Sequence, residues 1–173
     1  MKWSRRRFVV AALAGVGAAG AAGGGLLALR GAAPPVEGLK VLSGQAYRTF
    51  SAIAAAHLPA GGAFAAGAAE FELARLFDGY LADQPADEQR EALAALHLVE
   101  FGPLLFERRW ATFSQLAPAD QLAHWRGWAR ARAQVRREIY SGFAKFIGMA
   151  FYDRPEVWPH IGYPGPSFAR LAP

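Results

Sequence analysis

The chain has 173 residues, 19 Lys+Arg against 14 Asp+Glu, and no cysteine. The missing thiols exclude disulfides, a thiolate zinc site, an iron–sulfur cluster and covalently attached haem c. The positive excess belongs to Lys2, Arg5, Arg6, Arg7 and Arg30; residues 34–173 hold 14 bases and 14 acids, so the domain they form lacks the surplus charge that nucleic-acid binding exploits.

The N-terminus reads as a targeting segment. Ser4-Arg5-Arg6-Arg7-Phe8-Val9 closely matches a twin-arginine export signal, with Ser4, Arg5, Arg6 and Phe8 as its marks. An uncharged run from Phe8 to Leu29 follows, with six glycines. The twin-arginine route carries folded proteins, often with a cofactor in place. Residues 1–33 have two open fates. Gly31-Ala32-Ala33 offers small residues to a peptidase, although Pro34 is unfavourable after a cut. Alternatively the run stays as an anchor, long enough to cross a bilayer as a helix but weakly hydrophobic for one. Gly15-Val16-Gly17-Ala18-Ala19-Gly20 fits G-x-G-x-x-G, but no strand pattern precedes it and no strand–helix units follow, so the context argues against a dinucleotide fold.

Residues 34–42, with Pro34-Pro35 and Gly38, read as a linker. The rest, 43–173, reads as one all-α domain of four to five helices. Only eleven of residues 34–173 are β-branched, too few for a substantial sheet. Ser43 caps a first helix to about Leu58, with Ala46, Phe50, Ile53 and Ala54 at helical spacing. Pro59 and Gly61-Gly62 end it. A second helix is expected from about Ala66 to Leu81. Pro85 opens a third, carrying Leu93, Leu96 and Val99, which Gly102-Pro103 interrupts or kinks before it resumes over Leu104–Phe113. A last, long helix is expected from about Pro118 to Phe151. At ~100° per residue, Trp125, Trp128, Val135, Ile139, Phe143, Phe146 and Ala150 share one sector of it. The prolines at 155, 159, 164, 166 and 173 then forbid a helix. Trp158, Ile161, Tyr163 and Phe168 on this irregular tail must pack back on the domain or onto a partner.

No catalytic constellation emerges. His57, His97, His124 and His160 form no i, i+3 or i, i+4 pair for a metal, and each reads as a surface or capping residue. Asp87, Glu88 and Glu91 fit the first turn of a helix, where acids favour the dipole. The serines have no nucleophile-elbow context. Arg126, Arg130 and Arg137 make an ordinary solvated face, but Arg132 and Arg136 fall within or beside the apolar sector, where a guanidinium must snorkel to the sector's edge or meet a carboxylate.

The stretch Phe151-Tyr152-Asp153-Arg154-Pro155-Glu156-Val157-Trp158-Pro159-His160-Ile161-Gly162-Tyr163-Pro164-Gly165-Pro166 resembles the gluconate 2-dehydrogenase subunit 3 family. The aromatic pair, the Pro-x-x-Trp and the Ile-Gly-Tyr-x-Gly-Pro ending carry the resemblance, together with Leu58-Pro59 and the twin-arginine leader. These motifs are structural rather than catalytic.

The resemblance implies a small subunit of a periplasmic, membrane-associated dehydrogenase of sugars or alcohols. FAD then sits on a large glucose–methanol–choline-type subunit, and a cytochrome c subunit often takes the electrons. The small subunit has no cofactor, metal or catalytic residue of its own. It supplies the signal by which the Tat translocase exports the folded flavoprotein. Arg132, Arg136, Phe151, Tyr152, Trp158, Ile161 and Tyr163 are the expected partner interface. Trp158 and Tyr163 plugging the domain's own core is the competing expectation. The alternative function is a stand-alone, membrane-anchored helical interaction module in the periplasm.

Overall fold

The computed structural model describes residues 35–62 and 65–166, and over these residues the chain is helical with no strand. The leader with Ser4, Arg5, Arg6 and Phe8 lies outside the described residues, as does Phe168. Six α-helices follow one another: α1 Gly44–His57, α2 Leu73–Ala82, α3 Ala86–Glu100, α4 Gly102–Glu107, α5 Pro118–Ala129 and α6 Gln134–Tyr152. Single 3-10 turns occupy Ala68–Phe71, Phe113–Gln115 and Trp158–Ile161. No described helix is long and apolar enough to cross a membrane.

The middle of the fold is α1. Ser43 caps it, its hydroxyl accepting from the Ala46 N–H at 3.2 Å. Ala46, Thr49, Phe50, Ile53 and Ala54 then recur at helical spacing and are all buried. With that stripe α1 packs against α2, α3, α5 and α6. Phe50 stacks on Phe77 of α2, centroids 4.2 Å apart and planes 8° from parallel. Phe143 of α6 meets both rings edge-on, at 5.7 and 5.8 Å. Aromatic pairs in these geometries add to the area term, and truncating such a ring costs about 3–5 kcal/mol.

Six helices, rather than four or five, result from breaks that periodicity does not report. The helix expected over Ala66–Leu81 is split. Glu72 adopts a left-handed conformation, φ 45°, between the Ala68–Phe71 turn and α2. The turn is tied back to the end of α1, with Ala68 N–H donating to Leu58 C=O at 2.9 Å. A Cβ on Gly67 would stand 2.5 Å from the Ala60 nitrogen, so only glycine permits this approach. The helix after Gly102-Pro103 stops at Glu107, not Phe113, because Arg108 turns left-handed at φ 54°. Phe113 is then free to enter the core, where it is fully buried.

The long helix expected over Pro118–Phe151 is two helices, α5 and α6, joined through residues 130–133. Folding back lays Trp125 against Tyr140, centroids 4.7 Å apart. A straight helix would leave those rings without each other. The Arg137 guanidinium holds the corner by donating to the Ala131 and Arg132 carbonyls at 2.6 and 2.8 Å. The apolar sector stays in phase across the corner, which is why the break is invisible in the spacing.

Two buried acids organise the polar interior. Glu100, the last residue of α3, is 0 % exposed. Its oxygens lie within hydrogen-bond distance of the Gln45 amide (2.6 Å), the Thr49 hydroxyl (2.9 Å), and the Ser114 N–H (3.1 Å) and hydroxyl (2.7 Å). Asp78 of α2, also buried, accepts from the backbone N–H groups of Lys40 (2.7 Å), Val41 (2.9 Å) and Leu42 (2.7 Å). The end of the expected 34–42 linker is thereby part of the fold.

Burial alone would raise the Asp78 carboxyl. The three N–H donors and the Lys40 charge outweigh it, and the group lies below the usual carboxylate range. Its contribution is therefore complete above about pH 4 and is lost as pH falls through the depressed folded-state value. Asp78→Asn should cost about 2–3 kcal/mol in denaturant unfolding at neutral pH and flatten the acid limb of the stability curve. An acid limb unchanged in the variant would show that the clamp contributes nothing.

Candidate partner interface

The tail after α6 is irregular but built. Val157 is its plug into the core, 1 % exposed. Trp158 lies half-buried beside it, its indole N–H donating to Tyr152 C=O at 3.0 Å. Tyr163 meets the Trp158 ring edge-on at 5.3 Å, and its N–H donates to Trp158 C=O at 3.0 Å. Gly165 closes the hook with φ 87°, and a Cβ there would stand 3.3 Å from the Trp158 ring. Glycine is required both for the dihedral and for the approach.

This arrangement divides the expected interface residues. Phe151 is 1 % exposed and packs edge-on against Phe71 at 5.4 Å, so it is core and cannot face a partner. Tyr152, Ile161 and Tyr163 remain 44–46 % exposed. They continue a strip that runs back along α6. Met149, one turn before Tyr152, is 63 % exposed, and Phe146, one turn before that, carries Tyr80 of α2 against it at 5.3 Å. Tyr80 and Leu76 on α2 are themselves exposed. Sequence reasoning missed Met149, Tyr80 and Leu76, because two helices had to be placed side by side before their outer residues became one surface.

Arg132 and Arg136 lie elsewhere. Arg132 is exposed in the corner before α6, and Arg136 is in the first turn of that helix. A rise of 1.5 Å per residue sets Arg136 about 24 Å along the axis from Tyr152, so the seven residues do not form one patch. The Arg136 guanidinium lies over the rings of Phe106 (4.3 Å) and Trp128 (5.0 Å). Its Nε is shielded from solvent without a hydrogen-bond partner. Burial lowers the guanidinium's pKa, opposed by the charge of Glu107. Stacking on two aromatic faces is how an arginine inside an apolar sector is accommodated here.

Of the histidines expected at the surface or as caps, His124 is interior and His57, in the last turn of α1, is half-buried. His124 is 3 % exposed; its Nδ1 lies 2.5 Å from a Glu107 oxygen and its Nε2 accepts from the Trp128 indole at 2.9 Å. His57 at the end of α1 accepts from the Trp125 indole at 3.3 Å through Nδ1. An indole N–H is only a donor, so each of these ring nitrogens must be unprotonated. The tautomers follow: hydrogen on Nδ1 of His124, shared with Glu107, and on Nε2 of His57. The sequence signal was available in part, since His124 and Trp128 are spaced i, i+4. Gly102 completes the packing: a Cβ there would stand 2.6 Å from His124 Nε2.

Among the described residues no three His, Asp or Glu side chains are grouped to hold a metal ion. The expected first-turn acids Asp87 and Glu88 are exposed at the start of α3. Comparison of the chain with family models, with curated proteins and with solved structures found no match.

The two Trp–His bonds generate a pH dependence. Burial pushes the His57 pKa down. For His124 burial is again the largest influence, reinforced by Arg136 and Arg109 and opposed by Glu107, and the net direction is down. The unfolded chain therefore takes up protons first as pH falls. Stability is complete above about pH 6.5 and is lost as pH drops from there through the folded-state values. His57→Asn with His124→Gln keeps both acceptors but cannot titrate. Chemical denaturation at about pH 7.5 and about pH 5 should show a loss in the parent that the double variant largely lacks. Equal losses in both would exclude the histidines as its source.

Proposed function

We propose that this chain is a non-catalytic accessory subunit that escorts a folded flavin-dependent sugar or alcohol dehydrogenase out of the cytoplasm and holds it in the periplasm, associated with the inner membrane. The observation that carries the reading is a pairing. A twin-arginine leader, suited to folded cargo, heads a helical domain with an uncovered strip of large apolar side chains along α2, α6 and the tail. The resemblance of residues 151–166 to subunit 3 of gluconate 2-dehydrogenases supports the same role. FAD belongs to the large partner and haem c to a cytochrome subunit where one is present. The Tat translocase reads Ser4, Arg5, Arg6 and Phe8.

Docking uses Tyr152, Ile161 and Tyr163, together with Met149, Tyr80 and Leu76. Val157 and the Trp158–Tyr163–Gly165 packing hold the tail in shape beforehand, which lowers the ordering entropy that association must overcome. Trp158 belongs partly to each expectation, since its ring supports the hook while one side remains accessible.

Two experiments test this. Arg5→Lys with Arg6→Lys keeps the charge but removes the guanidinium fork, and should strand this chain and its flavoprotein in the cytoplasm together. Arrival of the flavoprotein in the periplasm without it would end the escort reading. Separately, Ile161→Ala with Tyr163→Ala should weaken association by on the order of 2 kcal/mol or more while leaving the subunit folded. Val157→Ala should instead destabilise the subunit itself by about 1–3 kcal/mol. Unchanged association in the tail variant would remove the strip from the interface.

A further inference from the structure

A second uncovered surface lies away from that strip. Leu105-Phe106-Glu107-Arg108-Arg109-Trp110 are six consecutive exposed residues at the end of α4, with Trp110 at 79 % and Leu105 at 52 %. Such a Trp in water is unusual, because its ring carries a large apolar area. The acid in this stretch, Glu107, is turned inward onto His124, leaving Arg108 and Arg109 beside the apolar residues. Arg109 is paired with Asp120 at 2.8 Å, and no ion pair of Arg108 occurs among the described residues.

The surrounding chain is basic. Residues 105–138 hold seven arginines against three acids, while the rest of residues 34–173 hold seven bases against eleven acids. The segment that carries the exposed Trp, Leu and Phe is therefore basic, within a domain of zero net charge. Aromatic and leucine side chains at a headgroup boundary, ringed by arginines that meet phosphates, are the chemistry of an anionic bilayer surface.

The backbone gives an independent pointer. Arg108 is left-handed at the C-terminus of α4, where glycine is the least strained residue. Arginine is more strained there than glycine would be, and its side chain is exposed. The start of the described chain lies close by. Val36 packs beside Gly44, and the adjacent Gln45 amide lies 3.1 Å from the Ser114 hydroxyl. Trp110 is four residues from Ser114, within about 14 Å of it by chain length. The start of the described chain and the Trp110 loop thus lie near the same end of α1.

We infer that the Leu105–Trp110 corner is a membrane-contact site: Leu105, Phe106 and Trp110 enter the headgroup region of an anionic bilayer while Arg108, with neighbouring arginines, meets lipid phosphates. This site stands on the domain's own surface and does not depend on which protein the chain escorts.

The absence of cysteine permits a site-specific test in the full chain. Leu105→Cys and, as control, Glu88→Cys on α3 each carry an environment-sensitive nitrobenzoxadiazole label. Each is reconstituted in vesicles of phosphatidylglycerol and phosphatidylcholine, with phosphatidylglycerol at about one part in three, and in phosphatidylcholine alone. The label at 105 should blue-shift and be quenched by brominated lipid several-fold more than the label at 88, and only where anionic lipid is present. Arg108→Gly should reduce that quenching several-fold while the Tm stays the same or rises, because glycine relieves the left-handed backbone. Equal quenching at 105 and 88, or quenching at 105 indifferent to anionic lipid, overturns the proposal. A label at 105 that stays wet on vesicles and is covered only by a purified protein partner overturns it as well, and assigns the corner to that partner.

Discussion

A side chain removed from water must recover its hydrogen bonds from the chain around it, and Glu100 makes that requirement organise the fold. Its partners come from the first two turns of α1 and from Ser114 beyond α4. To satisfy one residue at the end of α3, the chain has to bring back a segment 14 residues later and hold α1 against both. The excursion between Glu100 and Ser114 is α4 and the arginine–tryptophan stretch. Loss of the side chain would leave several buried donors without acceptors, a larger penalty than the loss of any one bond.

Around that knot the aromatic residues divide the work by depth. Phe50, Phe77 and Phe143 form the dry centre. Trp125 and Trp128 are as deeply buried, but each needs an acceptor for its indole N–H, and neutral histidines supply it. Arg136 covers the outer side of Trp128, so a cation closes what is otherwise an apolar sector. Farther out, Tyr152, Ile161 and Tyr163 rest on the core without entering it. At the end of α6 a packed ring and an exposed one stand side by side, Phe151 inside and Tyr152 outside.

The helical class was legible in the sequence because few residues favour strands and apolar positions recur at helical spacing. Ser43 and the prolines marked true boundaries. What could not be read were the breaks held by tertiary contacts. Glu72 and Arg108 are left-handed although neither is glycine, and the α5–α6 corner keeps the apolar phase of one long helix. Burial of charge was partly legible. Glu100 follows Leu96 by one turn on a buried face, so an acid in core register was in view, but its donors lie 51–55 residues back in the chain, and 14 ahead. For the interface, the aromatic tail was visible as a composition. Which rings point inward was not, since Phe151 and Tyr152 are neighbours in sequence and opposites in burial.

The Asp78 clamp also fixes how the domain meets a mechanical load. Tension applied from the N-terminal side is borne at Lys40, Val41 and Leu42, whose three N–H groups converge on one carboxylate. Bonds gathered at a single acceptor share the load and must rupture nearly together, rather than peeling one after another. Arg75 adds a second hold just upstream, donating to Glu37 C=O at 3.1 Å. Tension from the N-terminal side of the described residues therefore loads α2 through its interior face before it can unwind α1, and the core stays shut.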